Sequence, residues 1–165
     1  AIVFFIIIFT YLCIKFNYNL FYLFIVFNLF FLLFLNIGNK LFLGDSGIYF
    51  LAALLSFCLI YEYNVYKNFI YADEIFILLS LPGFDLLRLS CTRILEGKNA
   101  FLGDRNHIHH LLNRKFSLFT SNFILILLVT IPILAMEFTT INRLLLILIN
   151  LFIYSTIIIF LKNDN

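Results

Sequence analysis

Long, nearly unbroken runs of Ile, Leu and Phe decide which folds are open to this chain. Hydrophobic residues make up 64% of its 165 residues and charged residues only 12%, and the mean hydropathy is +1.07. A soluble domain usually keeps its apolar content near half and interrupts it with a regular polar period. The composition therefore excludes a soluble domain and predicts an all-α, polytopic integral membrane helix bundle.

The apolar runs predict the number of membrane crossings. The hydrocarbon core of a bilayer, about 30 Å thick, takes about 20 helical residues to cross, and shorter runs suffice where protein shelters a helix end. We predict six transmembrane helices, over residues 1–14, 18–35, 48–61, 69–89, 122–138 and 142–161. No repeat or linker divides the sequence, so residues 1–165 are expected to form a single transmembrane domain. The chain starts in the middle of an apolar run without the marks of a signal peptide, and we expect it to be the C-terminal part of a longer protein.

The basic residues predict the orientation in the membrane. Of eleven Lys and Arg, six lie in or beside the loop between the fourth and fifth predicted spans, namely Arg88, Arg93, Lys98, Arg105, Arg114 and Lys115. Lys and Arg are enriched in cytoplasmic loops, so this loop is expected to be cytoplasmic. Counting spans then places Lys40 and Lys162 on the same side and Lys15, Lys67 and Arg143 outside, a balance of eight against three.

Three cysteines carry no recognisable motif. Cys13, Cys58 and Cys91 are widely separated, without a partner at the spacing of metal ligands. Cysteines of this kind usually behave as small apolar residues. We assign them no chemistry.

The first of two polar loops reads Asn36-Ile-Gly-Asn-Lys-Leu-Phe-Leu-Gly-Asp-Ser-Gly47. Gly44 and Gly47 flank Asp45, so the backbone can turn sharply and approach a ligand at the membrane surface. A carboxylate on such a turn suits Mg²⁺, which takes one or two protein carboxylates and fills its other positions with water and phosphate oxygens. The alternative is an ordinary turn in which Ser46 or Asp45 caps the next helix.

Asp85 opens the second polar segment from within the fourth apolar run. A carboxylate at that depth is costly unless it faces a wet cavity or a cation. Pro82, shortly before it, removes a helical hydrogen bond and leaves a carbonyl that something polar must satisfy. The alternative to a role in a site is an intramembrane salt bridge to Arg88, one turn later.

The densest polar cluster, Asp104-Arg-Asn-His-Ile-His-His110, follows in the same loop. Zinc needs three or four ligands in tetrahedral geometry, but neither a thiolate nor a spaced acid accompanies the histidines, and His109 and His110 point in different directions on any regular element. Histidines with Arg105 fit better as hydrogen-bond donors to the oxygens of a diphosphate or a sugar. The alternative, a basic segment that holds anionic lipid headgroups, accounts for Arg114 and Lys115 but poorly for Asp104 and the histidines.

In their order and spacing, the motifs of these loops resemble the bacterial polyprenyl-phosphate N-acetylhexosamine-1-phosphate transferases (glycosyltransferase family 4). The matching motifs are Phe42-Leu-Gly-Asp-Ser-Gly47, Pro82-x-x-Asp85, Arg93-x-x-x-Gly97 and Phe101-x-x-Asp104-Arg-x-His-x-His-His110-Leu. The His-x-His-His pattern is similar to the branch that makes undecaprenyl-diphospho-GlcNAc. The resemblance covers residues 36–112, and the outer spans match only in hydropathy.

The resemblance implies an activity and its residues. The enzyme would transfer N-acetylhexosamine 1-phosphate, GlcNAc-1-phosphate in the closest branch, from a UDP-N-acetylhexosamine to a polyprenyl phosphate and release UMP. This step begins cell-envelope polysaccharide synthesis at the bacterial inner membrane. The implied catalytic residues are Asp45, which binds Mg²⁺ or alternatively Mn²⁺, and His107, His109 and His110. The implied substrate-binding residues are Asn36, Asp85, Arg93, Asp104 and Arg105.

The sequence also departs from the family pattern. Ile48 replaces the usual Ser after Gly-Asp-x-Gly, and Ala100 replaces the usual Pro before Phe. The family's Asp-Asp pair and Asn-x-x-Asn-x-x-Asp-Gly motif would both lie before Ala1, which agrees with a cytoplasmic N-terminal end and predicts that this stretch alone is inactive. An inactive family member and a membrane transporter are the alternatives. The expected partners are the two substrates and the bilayer, without nucleic acid, and the sequence leaves a homo-oligomer open.

Overall fold

The computed structural model describes residues 1–38, 40–65, 70–99 and 106–162. These residues form helices and connecting turns without a strand, which confirms the all-α prediction. The helices are α1 (Ile2–Lys15), α2 (Leu20–Ile37), α3 (Gly44–Val65), α4 (Ala72–Leu78), α5 (Ser80–Leu95), α6 (Ile108–Lys115), α7 (Leu118–Phe138) and α8 (Arg143–Lys162).

Four of the described helices, α2, α3, α7 and α8, are long and apolar enough to cross a membrane. Helices α4 and α5 pass the same test as a pair, so the count rises to five if they form one span. The first predicted span is a helix of only 14 residues, α1, which is shorter than a bilayer requires. The architecture is that of a helical membrane bundle. The sequence predicted six spans, whereas the described residues contain four or five helices of spanning length.

The fourth predicted span is broken and longer than the sequence suggested. Its two helices meet at a bend of 72°, and the second continues to Leu95 rather than ending at position 89. A proline ring clashes with the carbonyl four residues earlier, and for Pro82 that residue is Leu78, the last of α4. Pro82 itself lies in the first turn of α5, where a missing N–H costs nothing, so the break falls before the proline.

The chain divides into two compact units, Ala1–Ile75 and Phe76–Asn165, and each is described by itself. Whether they act as the single domain expected from the sequence stays a prediction. In the first unit α1 packs against α2 and α3. The turn between α1 and α2 uses two residues of positive φ, Asn17 at 53° and Tyr18 at 57°, and Asn19 caps α2 by accepting a hydrogen bond from the N–H of Phe21.

Two buried polar contacts join helices of the first unit. The hydroxyl of Tyr22 on α2 lies 2.5 Å from Oε1 of Glu62 on α3, and both residues are buried. At the end of α1, the ammonium of Lys15 pairs with Glu74 in the first turn of α4 and donates to the hydroxyl of Tyr11. Such contacts satisfy polar groups that are costly to leave unpaired among apolar helices.

The second unit is built around a core to which α5, α6, α7 and α8 all contribute. Its buried residues are Phe84, Ile108, Leu111, Leu112, Leu128, Tyr154, Ile158 and Leu161. The short helix α6 is amphipathic, since Ile108, Leu111 and Leu112 follow helical spacing and all three are buried. Burial of this face leaves the polar residues of α6, including two histidines, on its other side.

Candidate functional site

The carboxylate of Asp85 is the centre of a polar cluster in the second unit. Asp85 is only 5% exposed, and both of its carboxylate oxygens accept hydrogen bonds. Oδ1 accepts from Arg88 Nη2 at 2.8 Å and from the Tyr154 hydroxyl at 2.8 Å, and Oδ2 lies 2.9 Å from Nδ1 of His107. The salt bridge to Arg88, one of the two alternatives that the sequence left for Asp85, is present, and the role of Asp85 in a site stays a prediction.

The same carboxylate caps helix α6 from outside. The first N–H groups of a helix lack partners within it, and His107 at the N-cap position supplies no side-chain hydrogen bond. The N–H of Ile108 instead donates to both oxygens of Asp85, at 3.2 Å each. A buried anion at this point also meets the positive end of the helix dipole. Asp85 thus fixes where α6 begins.

Arg88 ties the cluster together from α5. Its Nε donates to the hydroxyl of Tyr154 at 2.9 Å, and its Nη2 donates to the carbonyl of Asn106 at 2.6 Å in addition to Asp85. The guanidinium therefore contacts α8 and the residue just before the first histidine. With 13% of the side chain exposed, it balances the charge of Asp85 within the cluster.

Three imidazole rings lie next to each other at the start of α6. The ring centroids of His107 and His109 are 5.8 Å apart with a near-parallel stack, and those of His109 and His110 are 4.1 Å apart. The expectation that His109 and His110 point in different directions does not hold for their rings, because the side-chain torsions bring them together. Imidazoles grouped in this way can offer several N–H donors to one anionic ligand.

The pKa of His109 shows the electrostatic cost of this grouping. Partial burial of its ring, and the positive charge that His110 and His107 carry when protonated, hold the pKa of His109 below its ordinary value. Helix α6 lies outside the helices of spanning length. An anion bound against the rings would favour the protonated form and so raise this pKa.

Tyr154 is a member of the site that sequence reasoning missed. It is 4% exposed and lies on α8, far from the motif loops in the chain. One signal was present: Asn150 and Tyr154 are polar groups one helical turn apart in an apolar span. The amide of Asn150 donates to Ser80 Oγ at 2.7 Å, so both side chains face α5.

Two predicted residues, Asn36 and Asp45, lie in the first unit. The amide of Asn36 at the end of α2 donates to the carbonyl of Leu41 at 3.1 Å, which closes the loop before α3. Asp45 is exposed in the first turn of α3, directly after Gly44, whose φ of 63° favours glycine. At Gly47 a Cβ would lie 2.6 Å from Cδ1 of Leu43, so a larger residue there would require the Leu43 side chain to move.

Asp45 fits the predicted magnesium ligand as a single exposed carboxylate. Mg²⁺ takes one or two protein carboxylates and completes its shell with water and phosphate oxygens, so Asp45 can supply one of its ligands. Within the described ranges, no three His, Cys, Asp or Glu residues form a group that could hold a metal ion. The role of Asp45 in binding Mg²⁺ stays a prediction.

Of the remaining predicted residues, one lies on α5 outside the Asp85 cluster and two lie outside the residues that the structure describes. Arg93 lies half-buried in the last turn of α5. Asp104 and Arg105 lie outside the described residues. Their assignment to the sugar nucleotide stays a prediction.

Comparisons of the chain with protein-family models, with curated proteins and with solved structures found no match. Interpretation of the site therefore depends on its own chemistry. The features that need an explanation are a buried carboxylate held by several donors, a histidine bound to it, and three adjacent imidazoles in a chain with few polar residues.

Proposed function

We propose that this protein is a phosphoglycosyl transferase of the membrane. It transfers N-acetylhexosamine 1-phosphate from a UDP-sugar to a polyprenyl phosphate and releases UMP. Bacterial inner membrane is the proposed location, with the loop between α5 and α6 in the cytoplasm. The proposal begins from the family resemblance of the polar loops and is supported by the arrangement of the second unit.

The observation that carries the proposal is the Asp85–His107 pair at the head of the imidazole group. Oδ2 of Asp85 lies 2.9 Å from Nδ1 of His107, and 39% of the histidine side chain is exposed. A histidine oriented by a buried carboxylate through one nitrogen offers its other nitrogen to a ligand in a fixed direction. His109 and His110 stand beside it, so the exposed side of α6 suits an anion with several oxygens.

Phosphoryl transfer needs this type of site. Little covalent chemistry falls to the protein in such a reaction, and catalysis depends on placing two anionic reactants and on stabilising the charge on the transferred phosphoryl group. His109 and His110 would donate hydrogen bonds to phosphate oxygens, and His107, held by Asp85 through Nδ1, would offer Nε2 to a hydrogen-bond donor of the substrate. Asp45 would be the Mg²⁺ ligand that the family resemblance implies, and a bound ion would supply positive charge to a phosphate group.

A lipid acceptor explains why the site is in a membrane protein. The buried face of α6, with Ile108, Leu111 and Leu112, packs into the core of the second unit, while its histidines stand on the polar side. A polyprenyl tail is apolar and its phosphate is charged, so both parts must be met at a boundary between bilayer and water. Helix α6, which carries the histidines, is followed directly in the chain by α7, a helix of spanning length.

The test is release of UMP by the protein produced from its complete reading frame. Purified protein in detergent would receive UDP-GlcNAc, undecaprenyl phosphate and Mg²⁺, beside variants His107→Asn and His110→Asn. Loss of each imidazole is expected to lower the rate about 100-fold or more, because a hydrogen bond to the substrate is lost. Asn113→Ala, an exposed change on α6, is the matched control and is expected to keep wild-type activity. Absence of UMP release from the wild type, or histidine variants as active as the control, would disprove the proposal.

A further inference from the structure

We propose that Tyr154 is a positioning residue that, with Arg88, sets the tautomer of His107. In this arrangement the proton sits on Nδ1 of His107 and the Nε2 nitrogen is left for the ligand. The catalytic consequence rests on the function proposed above, whereas the tautomer itself does not depend on it.

The hydrogen-bond donors around Asp85 show that its carboxylate acts as an acceptor toward His107. Two N–H donors, from Arg88 and Ile108, and the hydroxyl of Tyr154 point at the carboxylate, so it acts as an acceptor on both oxygens. An ionised carboxylate has no proton to give. Nδ1 of His107, at 2.9 Å from Oδ2, must therefore be the donor of that contact. In neutral imidazole only one nitrogen carries hydrogen, so Nε2 is the acceptor.

Tyr154 holds the carboxylate at the angle that this contact requires. Its hydroxyl accepts from Nε of Arg88 at 2.9 Å and donates to Oδ1 of Asp85 at 2.8 Å. Because the hydroxyl is bonded to Oδ1, rotation of the carboxylate away from His107 would break the buried hydrogen bond between Tyr154 and Asp85. The last helix of the chain, α8, is thereby coupled to the first histidine of the loop.

Other groups that face His107 do not supply this constraint. Described polar neighbours of the ring are Asp85, from α5, and the imidazole of His109, from α6. An imidazole, unlike an ionised carboxylate, carries a donor as well as an acceptor, so it does not fix which nitrogen of His107 holds the proton. The tautomer of His107 therefore depends on how well Asp85 is held, which is the part that Tyr154 and Arg88 play.

The experiment is a measurement of the tautomer in protein carrying ¹⁵N-labelled histidine, in detergent, at a pH well above the ordinary histidine pKa of about 6.5. Long-range ¹H–¹⁵N correlations distinguish the two tautomers, and the signal of His107 is assigned by its loss in His107→Asn. Wild-type protein is expected to show the Nδ1–H form. Tyr154→Phe, which keeps the ring but removes the hydroxyl, is expected to give a mixture of both forms.

Thr156→Val is the matched control because it removes a hydroxyl from the same helix. Among the described residues that hydroxyl donates to the carbonyl of Ile153 in the same helix, so the tautomer should not change. Arg88→Lys is a second variant that keeps the positive charge but loses the bond from Nε to Tyr154, and it too should give a mixture. A wild type in the Nε2–H form, or Tyr154→Phe and Arg88→Lys both indistinguishable from the wild type, would overturn the proposal.

Activity provides a readout that separates this inference from the proposed function. If UMP is released, Tyr154→Phe should lower kcat about tenfold or more and change the KM for the UDP-sugar by less than about twofold, in the range found for partners that orient a histidine. An inactive wild type with the expected tautomers would refute the transferase and leave the positioning role intact. An active wild type, with the tautomer of His107 unchanged in Tyr154→Phe and Arg88→Lys, would support the transferase and refute the positioning role.

Discussion

Oδ2 of Asp85 lies 2.9 Å from Nδ1 of His107, so helix α5 holds the first histidine of a loop that the chain reaches 22 residues later. The carboxylate is 5% exposed and both of its oxygens accept hydrogen bonds from protein. It is therefore better suited to holding the histidine than to touching a substrate. Its burial favours a positioning role, and the substrate-binding role that the resemblance implies for Asp85 stays a prediction.

Asp85→Ala is expected to destabilise the second unit by about 3–5 kcal/mol, because it leaves the mostly buried Arg88 without its anion. The N–H of Ile108 also loses its acceptor. Amides in the first turn of α6 should therefore exchange with deuterium faster than in the wild type. Thermal unfolding in detergent and hydrogen exchange measure the two effects.

The double variant Asp85→Leu with Arg88→Met separates stability from function. Replacing both ions with apolar groups avoids an unpaired buried charge, so the stability should return close to that of the wild type. His107 still lacks its carboxylate, and the activity should stay low. A double variant that is stable and fully active would show that Asp85 has only a structural role.

Asp45→Asn is expected to abolish transfer while the protein still inserts into the membrane. The substitution removes the charge of the proposed Mg²⁺ ligand and should lower the rate by about two orders of magnitude or more. UMP release at increasing Mg²⁺ is the measurement. Glu96→Gln, which removes an exposed carboxylate, is the control. Activity within about threefold of the wild type at saturating Mg²⁺ would exclude Asp45 as a metal ligand.

The sequence predicted the helices better than their breaks. Apolar runs identify α2, α3, α7 and α8 directly, because a helix that spans a membrane needs a long run of mostly apolar residues. The bend between α4 and α5 was not predicted, although Pro82 is visible, because the clash of the proline acts on Leu78, four residues earlier. The run from 69 to 89 remains apolar across the break and so looks continuous.

The candidate site was predicted in part. His107, His109 and His110 were found from local motif spacing, and the pairing of Asp85 with Arg88 from helical spacing. Tyr154 was not found, because its link to Asp85 crosses between two helices that are distant in sequence. Contacts of that kind depend on packing, which a single sequence does not display.

The lowered pKa of His109 predicts a stability that falls on the acid side of neutrality. The unfolded chain, with the ordinary histidine pKa of about 6.5, binds a proton more tightly than the folded protein does. Between the folded and unfolded pKa values the unfolded state thus carries more protons, and stability decreases as the pH falls through this window. Above it the effect vanishes.

Unfolding temperatures of the wild type and His109→Asn across this pH range measure the effect of His109. The variant should lose less stability than the wild type as the pH is lowered, because the titrating group is gone. His107 and His110 are present in both proteins and largely cancel in the difference. Equal acid sensitivity of the two proteins would contradict the assignment.

Tyr22→Phe is expected to destabilise the first unit by about 1–3 kcal/mol. It removes the hydroxyl that lies 2.5 Å from Oε1 of Glu62 and so leaves that buried carboxyl group without this hydrogen bond. Tyr61→Phe, at an exposed position on α3, is the control and should have little effect. Adding Glu62→Leu to Tyr22→Phe should restore most of the stability. A double variant less stable than Tyr22→Phe would show that Glu62 has another stabilising contact.

Helix α7 is expected to cross the membrane with its N-terminal end in the cytoplasm. Arg114 and Lys115 lie just before it and belong to the basic loop, and Lys and Arg are enriched on the cytoplasmic side. In protein whose native cysteines are replaced by serine, Thr140→Cys should react with an impermeant maleimide on intact cells. Asn113→Cys should react only after the cells are opened. Labelling of both from outside would show that α7 does not span, and the reverse pattern would place the histidines of α6 on the outer face, where a cytoplasmic UDP-sugar cannot reach them.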